Sequence, residues 1–251
     1  MQYYTDINLY TCQWLDNLID AEELPIGFVE CIDIKELFIR DLSGFSQVHF
    51  FSGIGGWPLA LKLAGIHQEF PVWSGSCPCQ PFSIAGVQNG TEESRHLWPS
   101  FKTIIKNHLP PFILGEQVAG ESGVIWLDGV VSDLEQLGYG VRAATIQAKV
   151  FGARHERDRI FWLAHTRGER LQRLVTEWKS VLCQPTTPST KFSNQSLYRR
   201  LQQQPDPIFT RMVDGLSRPV DIVRAFGNAI VPSVAAEFIK CALLDLFQQE
   251  N

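Results

Sequence analysis

Four groups of residues in this sequence could do chemistry. Cys79 lies in Gly75-Ser76-Cys77-Pro78-Cys79-Gln80-Pro81-Phe82-Ser83, just after a β-rich run. A free thiol with a pKa of about 8.5 is only a few per cent thiolate at neutral pH, so a nucleophilic cysteine needs a loop that favours the anion or passes on its proton during attack. A buried cysteine taken alone is more often an inert small hydrophobe. Glu116 ends the apolar run 110–118 and offers a general acid, or simply an exposed strand-end carboxylate. Arg157 and Arg159 stand two apart in 152–160. In an extended segment they share one face and can grip one anionic group together; a solvated run of mixed charge is the alternative. The run Val48-His49-Phe50-Phe51-Ser52-Gly53-Ile54-Gly55-Gly56-Trp57 reads as a strand entering a glycine turn that opens a helix at Pro58. Such glycines admit a ligand close to the backbone. The spacing is not a full G-x-G-x-x-G and no P-loop is present, so a nucleotide-like ligand and a purely structural turn both stay open.

These groups must be positioned by the elements around them. Short β-rich runs at 47–51, 70–74 and 112–114 end in Gly, Ser or Pro, and helical patterns follow at 58–64 and 125–137. Alternating strands and helices predict an α/β fold, a mostly parallel sheet with helices on both faces. Ligands of such sheets bind beyond the carboxyl ends of the strands, which is where Cys79, Glu116 and the glycine turn fall. From 166 to 205 the pattern dissolves into polar sequence, with 184–190 reading as loop and 201–205 as a polar helix end.

The composition narrows the class. With 251 residues, 45% of them hydrophobic, the chain can bury a substantial core, one main domain with a small appendage. Its net charge of −5 excludes coating a nucleic acid through bulk charge. Any such contact must be local. Residues 166–210 carry seven Lys/Arg against three Asp/Glu, a positive insert of +4 on a body of −9, suited to a local DNA contact or to a solvated loop. No targeting segment and no run of eighteen apolar residues is read, so a cytoplasmic protein without a membrane partner is expected. The six cysteines lack zinc-ribbon spacing; reduced thiols and no metal are expected.

Taken together, these motifs resemble the cytosine C5-methyltransferase family. Phe51, Gly53, Gly55 and Gly56 match its Phe-x-Gly-x-Gly-Gly turn, and Pro78 to Ser83 match its Pro-Cys-Gln-Pro-Phe-Ser loop without a gap. Glu116 and Val118 match Glu-Asn-Val with Gln117 departing, and Arg157 and Arg159 match Gln-x-Arg-x-Arg with His155 departing. Gly227-Asn228-Ala229-Ile230 resembles the closing Gly-Asn-x-Val, with a last helix over 233–247. The resemblance implies that Cys79, not Cys77, adds to carbon 6 of cytosine and makes carbon 5 an enamine that takes a methyl group from S-adenosylmethionine. Glu116 would hydrogen-bond or protonate N3, and Arg157 and Arg159 would hold the base. Gln80, Ser83, Arg95 and His155 would touch the substrate, the loop 86–93 would close over it, and Pro78 and Asn228 would line the cofactor pocket.

The order of the motifs departs from the family. Only 26 residues separate Gly53 from Cys79, too few for the strand-helix units that meet ribose and adenine. Residues 1–46 offer them elsewhere. Asp6-Ile7-Asn8-Leu9-Tyr10 resembles the second signature, with Asn8 replacing Asp, and a helix over 9–19 follows. The run 28–34 reads as a strand ending in Asp33-Ile34, like the third. A circular permutation is inferred, resembling phage and prophage members, with Asp6 on the ribose and Asp33 and Ile34 on the adenine. Spatial neighbours rather than chain order define such a pocket.

The expected organisation is a Rossmann-like S-adenosylmethionine-dependent methyltransferase domain over 1–165 and 211–251, with 166–210 as a short target-recognition region. The expected partner is double-stranded DNA, met by a monomer that flips the cytosine out of the duplex, with a cognate restriction endonuclease or a recognition partner as candidate associates. The rivals are a tRNA cytosine C5-methyltransferase, a non-catalytic DNA-binding subunit, and a nicotinamide-dependent enzyme of similar fold.

Overall fold

The computed structural model describes residues 1–78, 97–147, 158–182 and 230–249. Among these residues, seven strands form one sheet: β1 (Gln2–Asp6), β2 (Gly27–Cys31), β3 (Gln47–Phe50), β4 (Val72–Gly75), β5 (Phe112–Val118), β6 (Gly140–Gln147) and β7 (Asp158–His165). Their order across the sheet is β2-β1-β3-β4-β5-β7-β6. The pairs from β2 through to β5 are parallel, and β7 runs antiparallel to both β5 and β6. The chain steps from β1 outward to β2 and then returns to place β3 on the other side of β1. That reversal is the position at which open α/β sheets leave a crevice.

The helices are α1 (Leu9–Asp20), α2 (Gly56–Ala64), α3 (Trp98–His108), α4 (Glu121–Gln136), α5 (Gly168–Leu182) and α6 (Pro232–Gln249), with a 3₁₀ turn at Ile34–Ile39. Strand alternation divides the core between two faces. Phe112 and Leu114 of β5 join α2, α5 and α6, whereas Ile113 between them joins α3, α4 and the 3₁₀ turn. Tyr4 packs with Leu15 of α1 beneath Leu59 of α2, so α1 lies on the α2 side. The expected α/β architecture with helices on both faces is therefore observed.

The helices and β5 run past their sequence estimates, whereas β2, β3 and β4 are shorter than theirs. β5 continues through Gly115, Glu116 and Gln117 because β7 pairs with it along its whole length. The polar reading of 166–182 is corrected. Leu171 and Val175, four apart on α5, are buried in the core beside α6, a one-sided amphipathic pattern that the surrounding charges obscure. Four of the seven basic residues of 166–210 thus belong to α5 or its entry. Arg167 meets Glu135 at 3.7 Å and Arg170 donates to the Leu109 carbonyl at 2.6 Å, both at the sheet edge opposite the carboxyl ends of the parallel strands. Residues 183–210 lie outside the described residues.

Candidate cofactor cavity and catalytic carboxylate

The parallel register sets the site. Continuing the pairings to the strand ends brings Cys31, Asp6, Phe51, Ser76 and Glu116 to one level across β2, β1, β3, β4 and β5. Neighbours in that row are about 4.8 Å apart. Over it opens a cavity of about 330 Å³ whose walls include Asp6, Asp33, Ile34, Phe51, Gly53, Gly56 and Pro78. These seven expected cofactor residues, from four separate stretches of sequence, meet in one place. A second, shallow depression is lined, among the described residues, by α5 side chains and holds none of them.

The glycine turn is built as its residue types require. Gly53 and Gly55 sit at φ of 52° and 85°, the left-handed region that side chains disfavour. Among the described residues, a Cβ on Gly53 would meet nothing nearer than the Phe51 carbonyl oxygen at 4.0 Å, so that backbone is open to the cavity, where a ligand can lie against it. Gly55 and Gly56 are constrained from behind, since a Cβ would come within 2.8 Å of Leu24 and 2.7 Å of Ile230 respectively. Gly55 is thus a packing glycine and does not itself line the cavity. Phe51 also lies in the left-handed region at 50°, and its ring meets Phe101 edge-on at 6.0 Å.

Both carboxylates of the cavity are held by backbone donors. Asp6 accepts from the N–H of Asn8 and of Gly53, each at 2.9 Å, and so ties the end of β1 to the glycine turn 47 residues on. Ser52 reinforces the tie, accepting from the Thr5 N–H at 3.1 Å while donating to the His49 carbonyl at 2.6 Å. Asn8 caps α1 by accepting from Tyr10 N–H at 2.9 Å; an amide oxygen caps a helix as well as a carboxylate does, which accounts for Asn in place of Asp. Asp33 accepts from Lys35 N–H at 3.0 Å and starts the 3₁₀ turn that presents Ile34.

On the other side of β4, Glu116 is 8% exposed. Its Oε1 lies 2.6 Å from Nε of Arg159, which the antiparallel pairing of β5 with β7 brings alongside. Cys77 is 4% exposed in the core of the α3–α4 face, an inert setting for a thiol. Cys12, beside the cavity, has its thiol pushed up to about 12 by burial and then by Cys31, so it stays protonated.

Cys79, Gln80, Ser83, Arg95, His155, Arg157 and Asn228 lie outside the described residues; Pro78 and Ile230, their chain neighbours or near neighbours, line the cavity. Sequence reasoning gave no role to Trp57 and Ser76, although both stand inside quoted motifs. They line the cavity, and Trp57 Nε1 donates to Ser76 Oγ at 2.9 Å. A glycine turn followed directly by a large aromatic with a polar edge was the available signal.

The observed sheet order and a cavity at its topological switch point define an α/β protein suited to a nucleoside-type ligand. Its volume lies within the range usual for small-molecule sites, with carboxylates at two adjacent strand ends and a bare backbone turn between the walls. The model of the family described as C-5 cytosine-specific DNA methylase matches residues 66–211, which is 146 of the 251 residues, and the chain belongs to that family. Its members take their methyl group from S-adenosylmethionine. The chain is 36% identical over 93 residues to the type II methyltransferase M.AplI of Arthrospira platensis, covering 36% of this chain and 27% of the relative. It is 27% identical over 141 residues to M.CviJI of Paramecium bursaria Chlorella virus IL3A, covering 56% and 37%. These matches span about a quarter to two fifths of the relatives' length. Among solved structures, a mutant of Spodoptera frugiperda DNMT2 aligns at a TM-score of 0.43 and 15% identity, covering 66% of this chain and 43% of that one. No helix among the described residues is long and apolar enough to cross a membrane.

Proposed function

We propose that the chain methylates carbon 5 of cytosine in DNA from S-adenosylmethionine, and that its cofactor half is circularly permuted, with β1 and β2 preceding the glycine turn. The observation that carries this is the strand-end row: Asp6 and Asp33 share a cavity with Gly53 although they precede it in sequence, and Glu116 ends the same row. Asp6 then meets the ribose hydroxyls, Asp33 and Ile34 the adenine, and Phe51, Gly53, Gly56, Pro78 and Asn228 complete the pocket. When bound, S-adenosylmethionine supplies an electrophilic methyl group.

The chain's own residues do the rest. The cytosine is swung out of the duplex at a cost of a few kcal/mol. The Cys79 thiolate bonds to carbon 6 and the ring's electron pair shifts toward N3, where Glu116, having taken up a proton as the base enters, hydrogen-bonds the nitrogen or passes that proton to it and takes it back when the ring is restored. Carbon 5 becomes nucleophilic and accepts methyl; loss of its proton and departure of Cys79 restore the aromatic ring. Arg159 orients Glu116 through the 2.6 Å contact, and Arg157 grips the flipped nucleotide. Gln80, Ser83, Arg95 and His155 touch base or backbone, and residues 183–210 read the sequence alone or with a partner. DNA is favoured over tRNA by the family's own description.

The test is covalent trapping on a 5-fluorocytosine duplex with S-adenosylmethionine, together with bisulfite sequencing of DNA from expressing cells. An adduct that disappears in Cys79→Ala, with new 5-methylcytosine in a defined context, is expected. Methylation of tRNA alone would move the substrate to RNA. No adduct in any context would leave a non-catalytic DNA-binding subunit.

A further inference from the structure

Trp57 links the cofactor cavity to the strand pair that carries Glu116. It is 4% exposed, it follows the glycine turn directly, and it lines the cavity. Its indole N–H donates to Ser76 Oγ at 2.9 Å. Its ring meets Phe161 edge-on at 6.2 Å and 83°, and Phe161 is the register partner of Glu116. On the far side, Phe161 packs against Phe238 of α6 at 5.8 Å, while Ile230 sits against Gly56, next to Trp57. Trp57 therefore touches the cavity, the strand pair that carries Glu116 and Arg159, and the residue three before Cys79.

The sequence makes that last contact consequential. Proline fixes its own φ and restricts the residue before it to extended conformations, so Cys77 and Pro78 have few torsions with which to absorb a change at Ser76. An orientation imposed on Ser76 is passed along the chain toward Cys79. Resting on the reading of Cys79 as nucleophile, we infer that Trp57 and Ser76 are positioning residues: their hydrogen bond couples occupancy of the cofactor cavity to the placement of the nucleophile loop. Neither touches the reacting atoms. Filling the cavity presses on Trp57, Trp57 carries Ser76, and Ser76 sets the start of the loop.

The experiment follows Cys79 directly, by site-resolved mass spectrometry of its alkylation by iodoacetamide in the full chain, with and without S-adenosylmethionine. In the parent, the cofactor is expected to change the Cys79 alkylation rate at least threefold. In Trp57→Phe, which keeps an aromatic ring and removes the donor, and in Ser76→Ala, the change is expected to shrink below 1.5-fold, each variant being measured at a cofactor concentration that saturates it by its own calorimetric Kd. Ser76→Thr, which keeps the hydroxyl, restores it. In methyl transfer, both single variants should lower kcat roughly tenfold with little change in KM for DNA, and the double variant should be no slower than the singles. That non-additivity marks one shared contact. A cofactor effect that survives in Trp57→Phe and Ser76→Ala, one absent from the parent, or a Ser76→Thr no better than Ser76→Ala overturns the coupling. Absence of methyl transfer by the parent strikes the functional reading instead, and the alkylation data still decide the coupling.

Discussion

On the β2-β1-β3 side of the molecule, the carboxylates of Asp6 and Asp33 accept backbone N–H groups, from Asn8, Gly53 and Lys35. On the β5-β7 side, the carboxylate of Glu116 is held by another side chain, the guanidinium of Arg159. A backbone donor is fixed once the strand and turn have formed, so the cofactor side is a prebuilt wall. A side-chain donor can rotate and change partners, so the catalytic side can exchange an internal contact for one with an arriving base. On the proposed reading the difference suits two tasks: the wall formed by Asp6 and Asp33 keeps its shape through each turnover, whereas a base beside Glu116 would enter, be bonded and leave.

The sharpest way to break this comparison is Glu116→Gln. It should lower methyl transfer by about 10²–10⁴-fold with cofactor Kd within twofold; a collapse of cofactor binding would mean that the two sides are not separate. Arg159→Ala comes next. It removes the ion partner of a nearly buried carboxylate, and we expect a loss on the order of 3 kcal/mol by denaturant titration, with kcat falling on the order of a hundredfold as Glu116 loses its orientation. Arg159→Lys should recover only part of either, because an ammonium does not reproduce the planar fork.

Asp6→Ala sharpens the other side. Gly53 and Asn8 lose their acceptor, and cofactor affinity by calorimetry should drop roughly tenfold, the scale of a charged hydrogen bond, while adduct formation at saturating cofactor persists. Unchanged affinity defeats the permuted arrangement. Gly55→Ala should cost about 2 kcal/mol through positive φ and the contact with Leu24, seen as a lower Tm with the kcat of the folded fraction preserved.

The smallest effect is expected from His49, which is fully buried beneath the glycine turn with Nδ1 2.7 Å from Ser74 Oγ and Nε2 3.2 Å from Gln2 Oε1. Burial pushes its imidazole down to about 3. The unfolded chain binds that proton near pH 6.5, so the stability is complete above that pH and is lost as pH falls toward 3. His49→Gln should flatten the acid limb of a Tm-against-pH curve; a limb of unchanged slope would assign acid sensitivity to other groups.

Much of the site is legible in the sequence. The glycine turn, the strand-end carboxylates and the helix after Asn8 follow from local rules, in which glycine tolerates positive φ and Asn or Asp caps a helix. Three things were not legible. Helix α5 was hidden because only Leu171 and Val175 face inward among many charged neighbours. The basic character of 166–210 looked like one patch, yet Arg167 and Arg170 are used at the opposite edge of the sheet. The bond between Trp57 and Ser76 joins residues 19 apart that nothing in the spacing connects.

By itself, then, the sequence determined the chemical repertoire: a cysteine between prolines, an acid closing an apolar strand, arginines two apart, and a turn only glycine can make. Their types and immediate neighbours suffice for that, because each depends on torsions and groups within a few residues. Only the tertiary structure decided which of them meet. Strand order and register are set by hydrogen bonds and packing between segments far apart in the chain, and these place Asp6 and Asp33 beside Gly53, and Arg159 beside Glu116.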